Sequence, residues 1–210
     1  MILTVEVNVM NVLEENSYFF VDDDTRHGFL IDPGAQADLL MKIIAERDLT
    51  IEKILITHGH FDHIGAVNEI ASALKIPVIM GKYGRAYAEN PQMNCSAFYD
   101  DEIILRDVNY LDDDSEINLD VNPNFSVKIL PTPGHTADGV IYYCKKKSVA
   151  FVGDTIFFGS YGRTDLPGGN EMSLIKSIKE TIFALPDDTV LLCGHGSPTT
   201  VAAEKSRPWY

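Results

Sequence analysis

One nine-residue stretch, Thr57-His58-Gly59-His60-Phe61-Asp62-His63-Ile64-Gly65, constrains this chain more than any other. Four groups able to bind a metal, His58, His60, Asp62 and His63, fall within six positions, directly after Lys53–Ile56, which reads as a buried strand. A loop leaving a strand end can turn alternate side chains into one cleft. His58 and His60 can then reach a single ion, and Asp62 and His63 a neighbouring one. Imidazole and carboxylate together suit Zn²⁺, Fe²⁺ or Mn²⁺. A lone histidine is more often a satisfied structural residue than a ligand. Three histidines and an aspartate at this density are hard to explain by packing, because each would need a partner once buried.

Three later positions repeat the arrangement. His135 follows Leu130-Pro131-Thr132-Pro133-Gly134, Asp154 follows Ala150-Phe151-Val152-Gly153, and His195 follows Leu191-Leu192-Cys193-Gly194. Each comes after a glycine, which lets the backbone turn sharply and approach the site closely. Five of the six histidines and two aspartates at the ends of four strands make an inventory for two metals. His27, beside Gly28 and after an acidic run, reads as an exposed turn residue.

Periodicity predicts strands over Ile2–Val9 and Ser17–Val21 with a turn at Asn11–Asn16, and a short strand Phe29–Ile31 closed by Asp32-Pro33-Gly34. Helices are expected over Ala35–Arg47, with Leu39, Leu40, Ile43 and Ile44 as the apolar face, and over Ile64–Leu74, before a strand Pro77–Met80. Between Gly81 and Asn124 the pattern weakens to a short helix near Tyr83–Glu89 and strand pieces at Ile103–Leu105 and Tyr110. It recovers in strands Ser126–Leu130, Gly139–Cys144 and Ser148–Val152. A helix striped by Ile175, Ile178, Ile182 and Leu185, capped by Asn170 and stopped by Pro186, precedes a last strand, Thr189–Leu192. No repeat or linker interrupts residues 1–210, so one α/β domain is expected. Periodicity leaves open whether two sheets pack face to face or one sheet is doubly wound.

Composition bounds the function. With 45% hydrophobic and 23% charged residues the chain is ordinary globular protein, and no apolar run nears the roughly 20 residues of a membrane span. The start lacks a signal-peptide pattern, so a cytoplasmic protein is expected. A formal net charge of −14 would repel a phosphate backbone, which argues against nucleic-acid partners. Asp22-Asp23-Asp24 and Asp112-Asp113-Asp114 read as solvated turns. Cys95, Cys144 and Cys193 form no CxxC pair and read as reduced thiols, Cys193 as a small buried residue.

The pattern HxHxDH followed by His135, Asp154 and His195 at strand ends resembles the metallo-β-lactamase superfamily, and within it the short glyoxalase-II-like (hydroxyacylglutathione hydrolase-like) branch. Asp32-Pro33-Gly34, Gly153-Asp154-Thr155 and Gly162-Arg163-Thr164-Asp165-Leu166-Pro167-Gly168-Gly169 resemble recurrent turns of that family, and the likeness spans nearly the whole chain. The resemblance implies an αββα sandwich, with two mixed sheets packed face to face and helices outside. It implies that His58, His60 and His135 hold a first metal, that Asp62, His63 and His195 hold a second, and that Asp154 bridges them. Asp62 and Asp154 are then the catalytic carboxylates, and the cofactors two divalent ions, Zn²⁺ first, with Fe or Mn as alternatives. Two ions about 3.5–4 Å apart can share a water and lower its pKa to yield hydroxide near neutral pH. The expected reaction is therefore hydrolysis of small thioesters such as S-lactoylglutathione, or of related acyl compounds. The chain ends at Tyr210, 15 residues after His195, so the helical C-terminal domain of the long glyoxalase II form is not expected. The GRTD segment also resembles that of persulfide dioxygenases, which use one iron; a sulfur dioxygenase is the alternative.

Other residues carry two readings each. Asp32 is a partner for a ligand histidine or simply the turn former of Asp-Pro-Gly. Arg163 either pairs with Asp165 as scaffold or faces the pocket to bind a substrate carboxylate. Phe157, Phe158 and Tyr161 read as core or pocket wall. Ser197 lacks a GxSxG elbow and reads as loop.

Overall fold

Alternation along single strands decides the layering. In β2 (Leu13–Val21) Phe19 and Val21 enter one buried apolar cluster while Tyr18 and Phe20 enter another, as the two-residue period of a strand requires. A strand buried on both faces belongs inside a layered structure. The computed structural model, which describes residues 1–99 and 102–208, sets β2 in a six-stranded sheet. Its order is β1 (Ile2–Val9), β2, β3 (His27–Ile31), β4 (Thr50–Leu55), β5 (Val78–Gly81) and β6 (Val108–Leu111). The first three strands are antiparallel and the remaining pairings parallel.

The second half builds a facing sheet from β7 (Glu116–Asn118), β8 (Ser126–Pro131), β9 (Val140–Cys144) and β10 (Val149–Gly153). A two-stranded hairpin, β11 (Ile156–Phe157) with β12 (Ser160–Tyr161), stands apart. Beyond it β13 (Val190–Cys193) pairs in parallel with β10, and β14 (Thr199–Thr200) closes the edge antiparallel to β13. Aromatic side chains fill the seam between the sheets, with ring centroids 4.5 Å apart for Phe20–Phe125 and 5.4 Å for Tyr18–Phe151. Alternate residues of β10 divide in the same way: Phe151 enters the seam, while Ala150 and Val152 pack outward.

Helices cover the outer faces. Helices α1 (Ala37–Glu46) and α3 (Val67–Leu74) bury Leu40, Ile44, Val67 and Ile70 on the first sheet. Helix α5 (Glu171–Ser177), continued by a wider π-type turn at Ile178–Ile182, covers the second. Asn170 caps α5, its side chain accepting from the Ser173 N–H at 2.8 Å. The result is the αββα sandwich, and the doubly wound alternative is excluded. No helix among the described residues is long and apolar enough to cross a membrane.

Several local expectations are corrected. The predicted turn Asn11–Asn16 is mostly strand: β2 begins at Leu13, because Glu14, Glu15 and Asn16 pair with β1 despite their polarity. Ile103–Leu105 is irregular, while the strand piece expected at Tyr110 lies in β6, the sixth strand of the first sheet. Strand β7, the β11–β12 hairpin, β14 and helix α6 (Val201–Lys205) were not foreseen, because elements this short carry no measurable period. Leu39 is exposed, and Leu174 replaces Ile175 in the buried stripe of α5. Asp22 is buried rather than solvated, accepting from Thr25 Oγ1 at 3.0 Å and Asn122 Nδ2 at 2.9 Å. His27 is no free turn residue. It opens β3, with Nδ1 2.7 Å from Glu52 Oε1. The three cysteines are free and buried.

Candidate metal centre

The ends of β4, β8, β10 and β13 lie together, which brings the seven candidate ligands into one cluster. After β4 the chain extends through His58 and His60, then winds into a single helical turn, α2 (Phe61–Ile64), carrying Asp62 and His63. His58, His60 and His135 bring their ligating atoms within 4.8 Å of one another, as do Asp62, His63 and His195, and as do His58, His63 and Asp154. Asp154 stands between the first two trios. Its Oδ2 lies 3.5 Å from Nε2 of both His135 and His195, and its Oδ1 3.4 Å from His63 Nε2. Asp62 Oδ2 is 3.3 Å from His195 Nε2.

This arrangement fits divalent cations on its own chemistry. His58 Nε2, His60 Nε2, His63 Nε2 and Asp154 Oδ1 are buried with no hydrogen-bond partner. Leaving each such atom unsatisfied costs about 1–3 kcal/mol. His58 Nε2, His63 Nε2 and Asp154 Oδ1 are what a bound cation would satisfy, while His60 turns its Nδ1 to the cluster, 2.9 Å from His135 Nε2. The opposite ring nitrogens are held in place, which fixes ring orientation. His58 Nδ1 is 3.1 Å from Thr57 Oγ1 and His63 Nδ1 is 3.1 Å from Asp32 Oδ2. His135 Nδ1 donates to the Arg163 carbonyl at 2.7 Å, and His195 Nδ1 to the Glu14 carbonyl at 2.5 Å. Asp32 is thus the partner of a candidate ligand: it also accepts from Thr57 N–H at 2.7 Å and from Thr57 Oγ1 at 2.6 Å.

Charge divides the cluster. Burial and the neighbouring His135 push His60 down to about 3, and burial, His63 and His135 hold His58 well below the ordinary imidazole range. Both are neutral, with a lone pair to offer. Burial opposes charge on Asp154 and Asp62 too, but His63 and His195 outweigh it and keep both carboxylates below their usual range. In return Asp154 and Asp62 raise His63 well above its ordinary value, and hold His195 up at about 10, against burial.

Glycine is required at all three expected positions, for different reasons. Gly134 has φ +146°, and a Cβ there would lie 2.2 Å from the Leu174 backbone nitrogen. Gly153 has φ +48°, and a Cβ there would lie 2.3 Å from Thr57 Oγ1. At Gly194 a Cβ would stand 2.3 Å from Asp154 Oδ1 and 2.6 Å from His63 Cε1. Any side chain at position 194 would occupy the site itself.

Sequence reasoning missed the residues that hold the cluster from behind. Asn16 Nδ2 donates to the carbonyls of Cys193 (3.0 Å) and Gly196 (2.9 Å), and the Tyr18 hydroxyl donates to Cys193 at 2.6 Å, so β2 clamps the His195 loop across the two sheets. Glu15, wholly buried, lies 3.8 Å from His63 Nδ1 and accepts from Ser17 Oγ at 3.0 Å. A wholly polar run such as Glu14-Glu15-Asn16 carries no signal of such contacts, which join residues nearly 180 positions apart.

Asp138 was also missed. Its Oδ2 accepts from the Gly59 N–H at 3.0 Å, bracing the His58–His60 loop, and burial pushes its carboxyl up to about 7. The folded protein therefore holds this proton more tightly than the unfolded chain. That contribution to stability is fully present below the unfolded value of about 4 and is lost as pH rises through 7. Between pH 6 and pH 8 stability is expected to fall by about 1 kcal/mol through this group, a fall that Asp138→Asn should lack. Urea midpoints of the two proteins at both pH values check this, and identical pH dependences would reject it.

Above the cluster opens a cleft of about 410 Å³. Arg163 lies on its wall with the guanidinium in a two-point ion pair to Asp165, both bonds 2.7 Å. Phe157 is pocket wall as expected. Phe158 is not: it is exposed, with the Arg207 guanidinium 4.5 Å over its ring. Tyr161 packs at the margin of the outer core of the second sheet.

Comparison with known proteins agrees with this geometry. The profile of the "Metallo-beta-lactamase superfamily" matches residues 10–195. The chain is 33% identical over 214 residues to the hydroxyacylglutathione hydrolase GloC of Haemophilus influenzae, covering 97% of this chain and 95% of that protein. The crystal structure of the B3 metallo-beta-lactamase BLEG-1 superposes with a TM-score of 0.90 at 33% identity, over 99% of this chain and 97% of the other. That of TTHA1623 in a di-iron-bound form gives 0.84 at 30% identity, over 97% of both.

Proposed function

Since this chain belongs to the metallo-β-lactamase superfamily, we propose that it is a dinuclear metallohydrolase cleaving thioesters and related acyl compounds. The observation that carries this reading is a complete second trio, Asp62, His63 and His195, beside the first, with Asp154 facing both. His58, His60 and His135 would hold one ion, Asp62, His63 and His195 the other, with Asp154 shared. The di-iron form of TTHA1623 and the hydrolase GloC support two metals and acyl-thioester chemistry. When bound, two such ions supply Lewis-acid stabilisation to a carbonyl oxygen and an acidified water.

The chain's own residues do the rest. Neutral His58 and His60 present lone pairs without a proton to displace, while the Asp154 and Asp62 carboxylates bring the negative charge that a pair of cations needs. Thr57, Asp32 and the Arg163 and Glu14 carbonyls fix the rings, so no reorganisation is needed as the substrate arrives. Arg163 is assigned to the wall as a scaffold residue. Its backbone orients His135, and its guanidinium is already bound by Asp165. Among the described residues it is also the one Lys or Arg lining the cleft, so recognition of the two glutathione carboxylates is expected to be weak.

A second reading, a one-iron persulfide dioxygenase, draws on the His58–His60–His135 trio, which is complete by itself, and on the GRTD segment. Metal content after purification without added metal, with two assays, separates the two. The hydrolase reading expects two metals per chain and cleavage of S-lactoylglutathione. It expects kcat/KM within about a hundredfold, roughly 2.7 kcal/mol, of the lactoyl thioester of a small thiol. One iron per chain, with oxygen consumption on glutathione persulfide and no thioester cleavage, would transfer the assignment to the second reading.

A further inference from the structure

The walls of the cleft differ in kind from its floor. The floor is the histidine and aspartate cluster; the walls are Leu13, Phe61, Phe98, Tyr99, Phe157 and Leu166. They come from four separate parts of the chain: the tip of the β1–β2 hairpin, the helical turn α2, the 3₁₀ turn Ser96–Tyr99, and the loop from Asp154 to Gly169. Phe98 is 64% exposed and Tyr99 40%, although apolar rings of this size are ordinarily withdrawn from water. The Phe61 and Tyr99 rings stack at 4.5 Å, which holds that wall in place. Large apolar surface gathered around a polar, ion-binding floor is the makeup of a small-molecule site whose ligand carries an apolar part.

Charge on the wall points the same way. Arg163, the one Lys or Arg among the described lining residues, spends both of its outward hydrogen bonds on Asp165. A substrate with carboxylates near the acyl group would meet no free cation there. From these walls we infer that the substrates are thioesters bearing an apolar acyl chain, laid against Phe98, Tyr99 and Phe157 with the carbonyl at the histidine cluster. This rests on the hydrolase reading above and narrows it, away from short hydroxyacyl groups. In the reaction, water adds to the acyl carbon, the C–S bond breaks, and the products are the carboxylic acid and the thiol, with no redox change.

Burying one methylene favours binding by about fourfold, and partial burial on an open wall by about twofold. The test is a series of acetyl, butanoyl and hexanoyl thioesters of N-acetylcysteamine on the metal-loaded protein. The expected kcat/KM rises from acetyl to hexanoyl by roughly 16- to 250-fold. Binding provides a readout that needs no turnover: hexanoate should bind more tightly than lactate by calorimetry. Phe98→Asp, an exposed position that leaves the core intact, should flatten the series, bringing the hexanoyl-to-acetyl ratio of kcat/KM toward one. A flat or falling series would overturn the inference while leaving the hydrolase reading standing. So would a slope unchanged in Phe98→Asp together with a shift of monomer to dimer or the reverse, which would assign the rim to contacts between copies. Failure to cleave any thioester would overturn the hydrolase reading and this inference with it.

Discussion

Asp154→Ala protein is expected to lose at least about a thousandfold in turnover and to retain fewer than two metals per chain. Removing a single preorganised charge-stabilising group from an active site costs about 10²–10³ in kcat, and Asp154 serves two sites at once. Its Oδ2 lies equally far, 3.5 Å, from a histidine of each proposed trio, while its Oδ1 faces His63. Alanine would also remove the counter-charge that holds His63 and His195 against burial. His58→Ala and His135→Ala each delete one ligand of one site and should abolish hydrolysis while leaving the second trio able to bind. His27→Ala is the control. That ring pairs with Glu52 at the start of β3, remote from the cluster, and turnover should be unchanged. Metal analysis and steady-state kinetics on the four variants decide the matter. Near-native turnover with two metals bound in Asp154→Ala would refute the proposed bridging role.

Chelation should lower the melting temperature by about 8–16 °C. Ligand at a thousand times its dissociation constant contributes about 4 kcal/mol to the folded state, and a chain of this size shifts by about 2–4 °C per kcal/mol. The physical origin lies in the buried atoms. Without cations, His58 Nε2, His63 Nε2 and Asp154 Oδ1 have no hydrogen-bond partner. Two ionised carboxylates then rely on His63 and His195 alone for compensation. Binding satisfies these groups only in the folded arrangement, since the ligands are scattered over more than a hundred residues of unfolded chain. Calorimetric scans before and after exhaustive dialysis against chelator, with residual metal measured, check this. An unchanged melting temperature in verified metal-free protein would count against the site.

The candidate ligand set was legible because metal binding demands particular atoms, and the chain supplies those atoms in a dense, ordered set. His58, His60, Asp62 and His63 within six positions, and three more groups each behind a glycine, need no three-dimensional information to be noticed. The long buried elements were legible for a similar reason. Phe19 and Phe20, or Ala150 and Phe151, alternate between two apolar environments, and that period is written in the residues themselves. Periodicity could not choose between a sandwich and a doubly wound sheet, because either buries such strands on both faces. The order of the strands and the seam of Phe20, Phe125 and Phe151 decided it.

What the tertiary structure alone decided are contacts between residues far apart in sequence, for which local pattern contains no term. Asn16 looked like turn residue and proves to hold the loop of His195. Glu15 and Asp138, which no motif singled out, are buried against the His63 ring and the His58–His60 loop. The apolar wall is of the same kind, since Leu13, Phe98 and Phe157 share no spacing that would group them. The amino-acid sequence determined which atoms could bind metal and which faces had to be buried, because those are properties of single residues and short periods. Orientation of the rings, the charge division within the cluster and the shape of the cleft depend on distances across the two sheets, and only the packed fold sets those.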